Sequence, residues 1–233
     1  MGELIKLEKV KKIYKVGEVE FKALDGIDLS IDKGELVVVL GPSGAGKSTL
    51  LNILGGMDTV TSGKVTVAGQ EISKYSDKEL TKYRANEVGF IFQFYNIMPT
   101  LTVRENVELV KDVTPTKKNA KEVLKDVGLQ KHMNKFPSEL SGGEQQRVSI
   151  ARAVMKDPSI LLCDEPTGAL DSKTGVDVLK LLRTQCENGT TVIIVTHNSL
   201  IAEIADKVVH IKNGLIDSVD INKKPKNIDE VKW

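Results

Sequence analysis

The eight residues Gly41-Pro42-Ser43-Gly44-Ala45-Gly46-Lys47-Ser48 restrict what this chain can fold into more than any other stretch. They fit the spacing GxxxxGK followed by Ser or Thr. They stand between an unbroken apolar run at 36–40 and a segment of helical period at 47–54. A glycine-rich turn in that setting leaves backbone N–H groups free to point inward around an anion, with the positive end of a helix behind them. In this arrangement Lys47 is expected to neutralise terminal phosphates and Ser48 to offer its hydroxyl to Mg²⁺.

Such a loop needs a buried strand before it, and the apolar runs supply one. A strand covered on both faces reads as continuous rather than alternating hydrophobics. Runs at 36–40, 160–163 and 192–195 have that character, and helical patterns at 47–54, 173–185 and 200–205 follow them. The alternation predicts a parallel α/β sheet. Segments 4–14, 19–23 and 63–67 read as shorter antiparallel strands, and 207–219 as a hairpin turning on Asn213-Gly214. Residues 96–157 are helical in pattern, with Thr102-x-x-Glu105 and Ser141-x-x-Glu144 as capping boxes. The Lys-rich tail, 222–233, reads as a solvated, frayed end.

Composition removes several functions. The 233 residues suit one domain with a well-buried core. Lys and Arg total 33 against 32 Asp and Glu, a net charge of +1, which argues against a nucleic-acid partner. No apolar run approaches the roughly 20 residues of a transmembrane helix. The start lacks the apolar stretch of a secretory signal, and Lys6 breaks a myristoylation pattern. Cys163 and Cys186 form no CxxC pair, and Cys163 reads as a small buried hydrophobe. A soluble, reduced, cytosolic chain is expected.

Two further stretches carry chemistry. Ile160-Leu161-Leu162-Cys163-Asp164-Glu165 is a buried strand ending in two acids. Beside a phosphate loop, Asp164 is placed to help hold Mg²⁺ and Glu165 to polarise an attacking water. Leu140-Ser141-Gly142-Gly143-Glu144-Gln145-Gln146-Arg147 puts a serine and two glycines at a helix start, a second anion-binding position. Two such sites mean either two bound nucleotides or one nucleotide gripped by two chains.

With these residues in place, the sequence resembles the ATP-binding cassette (ABC) ATPases, whose signature is Leu-Ser-Gly-Gly-Gln; here Glu144 replaces the Gln. The resemblance runs from about residue 5 to about residue 217. It implies an α/β P-loop NTPase fold: a RecA-like parallel-sheet core, an antiparallel β subdomain and an inserted helical subdomain. The whole chain is then one nucleotide-binding domain. Its core and β subdomain fall at about 1–93 and 158–221, its helical subdomain at about 94–157 and its tail at 222–233. By the same resemblance, ATP is held by Gly41, Pro42, Ser43, Gly44, Ala45, Gly46, Lys47, Ser48 and Thr49 of one copy, and by Ser141, Gly142, Gly143 and Glu144 of another. Tyr14 corresponds to the aromatic that stacks on adenine; an edge-strand core aromatic is the other reading. Glu165 is the implied base, with Lys47, Gln93 and His197 completing the catalytic set. Ser48, Gln93 and Asp164 are the implied Mg²⁺ ligands. Gly168-Ala169-Leu170-Asp171 resembles the D-loop, with Gly168 where Ser is more usual, so that one serine contact is missing. His132 and His210 have no such context and receive no role.

The run from Gln93 to Asn106, with the extended 14–24 segment, resembles the branch that contains lipoprotein-release and macrolide-export ATPases. There the ATPase drives a membrane subunit. Phe94, Tyr95, Ile97, Met98 and Leu101 are unusually apolar for a loop: they either dock a separate transmembrane permease or fill the helical core. The resemblance implies a homodimer closed by ATP, peripheral on the inner face of the cell membrane, powering export or extraction of an amphiphile, peptide or antibiotic. The alternative is a non-transport ATPase that gates a cell-wall hydrolase or serves antibiotic sensing. A DNA-repair or translation ATPase fits least, for want of coiled coils or a paired cassette.

Overall fold

A computed structural model describes residues 2–231. Two sheets lie one on the other with a core on each side of the larger. Strands β1 (Glu3–Val16) and β2 (Val19–Asp32) form a long antiparallel hairpin. After β3 (Leu36–Leu40) and α1 (Lys47–Leu54), β4 (Ser62–Val67) and β5 (Gln70–Glu71) complete the smaller sheet, ordered β2-β1-β4-β5. Both hairpin strands have 14 residues, longer than the expected short segments. Register shifts between Leu7 and Ile13 bend β1, so its apolar positions do not alternate evenly and its length is hidden from pattern reading.

The chain continues through α2 (Asp77–Asn86), β6 (Val88–Ile91), α3 (Val103–Glu108), α4 (Val110–Val113), α5 (Ala120–Asp126) and α6 (Gly142–Val154). It returns as β7 (Ile160–Asp164), α7 (Ser172–Glu187), β8 (Thr191–Thr196), β9 (Lys207–Lys212) and β10 (Leu215–Ile221). The larger sheet is ordered β10-β9-β3-β8-β7-β6, parallel except for β10 at the edge. Alternate residues of its central strands serve opposite cores. Leu36, Val38, Leu161 and Cys163 pack with α3, α5, α6 and α7; Val37, Val39, Ile160 and Leu162 pack with α1 and the smaller sheet. Burial on both faces is why these strands are continuous apolar runs.

Both expected capping boxes are present, Thr102 with Glu105 and Ser141 with Glu144. The hairpin of β9 and β10 turns on Asn213 and Gly214, both at positive φ. The segment expected as a helix at 200–205 is instead a 3₁₀ helix, Ser199–Ile204, because only six residues separate its Asn198 cap from extended Ala205. Helix α2 was not legible, since it buries only Leu80 and Tyr83, although Ser76 and Glu79 form its capping box.

The tail also departs from expectation. Ile228 is 6% exposed and Val231 5%, both inside the core that contains α7. Asn222 N–H donates to the Asp206 carbonyl at 2.9 Å, and Lys226 pairs with Glu203 at 2.9 Å. Two apolar side chains among lysines dock the segment, while Lys232 and Trp233 lie outside the described residues. Among the described residues no helix is long and apolar enough to cross a membrane.

Candidate nucleotide site

The loop 41–48 leaves the end of β3 and opens α1. Gly41 tolerates no side chain, because a Cβ there would lie 2.2 Å from the Ile211 carbonyl oxygen of β9. Gly46 caps α1 at φ 105°, a left-handed conformation open to glycine, with the Ala23 carbonyl oxygen 2.3 Å from where a Cβ would sit. The Gly214 N–H donates to the Ala45 carbonyl at 3.0 Å, so the β9–β10 turn buttresses the loop. Lys47 Nζ curls over its own loop, donating to the carbonyls of Gly41 at 2.7 Å and Pro42 at 3.0 Å. Ser48 is exposed at the first turn.

Strand β7 delivers the two acids beside this loop. Burial, and then the neighbouring Glu165 charge, push the Asp164 carboxyl above its usual range; Lys47 and a hydrogen bond from the Ser48 hydroxyl pull the other way. A half-buried carboxylate short of positive charge, next to a hydroxyl, is a fitting hard-oxygen pair for a divalent cation. No cluster of three or more His, Cys, Asp or Glu that could hold a metal occurs among the described residues. Mg²⁺ would therefore need ligands beyond these side chains, which phosphate oxygens and water provide. Cys163, one residue earlier, is fully buried and its thiol is pushed well up by that burial, as befits a core hydrophobe.

Glu165 itself is tightly held. Its Oε2 accepts from the Thr196 hydroxyl at 2.9 Å, and its Oε1 accepts from the His197 N–H at 2.9 Å, with His197 Nδ1 at 2.7 Å. Its φ of 48° costs about 1–3 kcal/mol for a residue with a Cβ. The Gln93 amide nitrogen lies 3.2 Å from where a Cβ on Gly168 would stand. The missing D-loop side chain thus makes room for Gln93 close to Glu165. Tyr14 belongs to neither core; its hydroxyl donates to Asp58 at 2.6 Å and also meets Thr49, over the start of α1.

The second glycine pair has a different setting. Ser141 caps α6: Glu144 Oε2 accepts from the Ser141 N–H and hydroxyl, both at 2.8 Å. A Cβ on Gly142 would meet the Tyr95 hydroxyl at 2.7 Å, and one on Gly143 would overlap Thr174 Cγ2 at 1.9 Å. Gly143 therefore also lets α6 pack on α7. Among the described residues no hydrogen bond or ion pair joins 141–144 to 41–49.

Two residues escaped sequence reasoning. Buried Gln146 donates through Nε2 to the Pro166 carbonyl at 2.9 Å, tying α6 to the residue after Glu165. Its partner is a backbone atom, which no motif advertises. His132 lies 3.1 Å from Glu144, across a loop whose path only the fold defines. His210, by contrast, pairs across the hairpin with Asp220 at 3.0 Å.

The parallel sheet, the phosphate loop at its strand tip and the paired acids beside that loop define a P-loop ATPase cassette. The chain belongs to the ABC transporter family, which residues 24–168 match. It is 45% identical to an uncharacterised ABC transporter ATP-binding protein of Thermotoga maritima, over 94% of this chain and 96% of that protein. It is 46% identical to the macrolide export ATP-binding/permease protein MacB of Campylobacter fetus, over 98% of this chain but 36% of that protein. Other relatives also extend further, with the chain spanning half their length. The dimeric post-hydrolysis ATP-binding cassette MJ0796, bound to ADP and Pi, superposes with a TM-score of 0.85 at 41% identity, covering 94% of this chain and 98% of that one. MJ0796 is from Methanocaldococcus jannaschii.

Proposed function

We propose that two copies of this chain close on two ATP molecules, each held by 41–49 of one copy and 141–144 of the other. The two elements open helices on opposite faces of the larger sheet, α1 and α6, and this placement carries the reading: a second copy would bring both to one nucleotide. That the related MJ0796 cassette is described as a dimer with ADP and Pi supports it. Binding favours the closed pair because the open one lacks half the contacts. Lys47 would leave the Gly41 and Pro42 carbonyls for the terminal phosphates. Glu165, oriented by Thr196 and His197, would take the proton of the attacking water, with Gln93 and His197 orienting it. Ser48, Asp164 and Gln93 would hold Mg²⁺, whose role is to offset charge on the β- and γ-phosphates. Tyr14 would stack on the adenine.

The work is read as driving a separate transmembrane permease for export or extraction of an amphiphile, peptide or antibiotic, as the name of the MacB relative supports. On this reading 94–157 is a helical subdomain that receives the permease, and the chain lies on the inner face of the membrane through it. Phe94 is 78% exposed and Met98 49%, whereas Ile97 packs on the core. The docking surface thus keeps only part of the apolar cluster. Joined to that loop through Arg152 is a groove of about 380 Å³ walled by Phe90, Val110 and Val113, with Arg84, Arg152 and Lys156 in its lining. Those three cations donate to backbone carbonyls, and none has a carboxylate partner among the described residues. A helix with apolar and acidic side chains fits it.

The test is the solution mass of the Glu165→Gln variant, with and without ATP and Mg²⁺. A monomer that doubles in mass only with both supports the closed pair. A monomer that binds ATP yet never pairs overturns it for the isolated chain.

A further inference from the structure

We propose that His132 is a positioning residue for Ser141, acting through Glu144, and that its charge sets how firmly the start of α6 grips the nucleotide of the other copy. The inference rests on the two-copy reading above.

One carboxylate organises this helix start. Glu144 Oε2 accepts from both the N–H and the hydroxyl of Ser141, and the Glu144 N–H reaches back to Ser141 Oγ at 3.4 Å. The other oxygen, Oε1, faces His132 Nδ1 at 3.1 Å. That nitrogen is buried and makes no well-aligned hydrogen bond, so the contact works through charge rather than through a shared proton. The charged groups acting on Glu144 are His132, from the 3₁₀ turn Gln130–His132, and Arg147, one turn along α6. The Ser141 N–H, against the opposing effect of burial, holds the Glu144 carboxyl below the usual range. The carboxylate is therefore ionised at neutral pH.

A full negative charge thus stands where the two-copy reading places a triphosphate. A glutamine would accept the same Ser141 hydrogen bonds without repelling it. With Glu144, the repulsion is offset only as far as neighbouring cations allow, and histidine is the side chain whose charge ordinarily changes near neutrality. Protonated, His132 faces Oε1 with a positive charge and leaves Oε2 on Ser141. Neutral, it leaves Arg147 alone to offset the carboxylate. Pairing should tighten as pH falls.

The test uses the full chain with Glu165→Gln to prevent turnover, and measures the pairing constant with Mg²⁺ and ATP by sedimentation at about pH 6 and about pH 8. A partly exposed ion pair shifts each site about threefold, so the two symmetric sites together shift pairing about tenfold. With His132 in place, pairing should weaken about tenfold from the lower pH to the higher. With His132→Arg it should stay near the low-pH strength at both, changing less than about twofold. Protonation of the nucleotide itself affects both proteins equally. With Glu144→Gln added, His132→Ala should make no further difference. An equal pH response with and without the His132→Arg substitution, or an undiminished effect of His132→Ala beside Glu144→Gln, overturns the proposal. If no variant pairs with ATP while all bind it and melt cooperatively, the two-copy reading fails, and this one falls with it.

Discussion

Glu165 occupies a left-handed backbone conformation with both carboxylate oxygens taken by Thr196 and His197. Those contacts fix the carboxylate's orientation, while Oε2, with one donor, keeps a lone pair for a further hydrogen bond. Substitutions at the two ends of the proposed site should separate binding from chemistry. Lys47→Ala removes the cation proposed to meet the terminal phosphates, so the ATP dissociation constant should rise at least about tenfold by titration calorimetry. Glu165→Gln keeps a side chain of the same shape, so ATP affinity should stay within about threefold while turnover falls about 10²–10⁴-fold. An active Glu165→Gln protein would move the base assignment elsewhere.

Among the elements, α6 matters most, because it presents Ser141 at one end and packs against α7 through Gly143. A methyl at position 143 would overlap Thr174 Cγ2, while the Thr174 hydroxyl donates to Asp171, the cap of α7, at 2.6 Å. Gly143→Ala should cost about 1–3 kcal/mol in denaturant unfolding, and adding Thr174→Ser, which removes Cγ2 and keeps the hydroxyl, should recover most of it. The tail is a second structural element despite its lysines. Ile228→Ala should cost about 2–4 kcal/mol, as for other buried large-to-small changes, where a frayed tail would show none.

At the scale of the whole molecule, the groove walled by Phe90, Val110 and Val113 is a surface with an energetic cost in the free protein. Burial pushes the Lys156 ammonium down from 10.5 to about 8. A lysine whose folded value is depressed contributes stability present above its unfolded value and lost as pH falls through the folded one. Wild type should therefore gain stability relative to Lys156→Met between about pH 7 and about pH 10, measured by urea unfolding at each pH. An acidic segment of the proposed permease would relieve the same cost at neutral pH, so Lys156→Met should weaken its capture while leaving ATP affinity unchanged. Arg152 links this groove to the loop after Gln93, donating to the carbonyls of Tyr95 and Asn96.

The core of the fold and the phosphate loop were legible in the sequence because each is written in contiguous residues. A doubly covered strand is an apolar run, a helix start carries its cap, and a turn that needs a left-handed residue carries glycine. Where the pattern was diluted, reading failed: bulges concealed the length of β1, α2 offered two buried side chains, and a docked tail was masked by its lysines. Pairings between distant positions left no local trace. The sequence alone named the groups proposed to meet phosphate; the tertiary structure decided what surrounds those groups. Thr196 on Glu165, Gln93 in the space left by Gly168, Gln146 on the Pro166 carbonyl and His132 against Glu144 are set by how the strands and loops converge. Contacts of that kind depend on distances in space, which spacing along the chain does not encode.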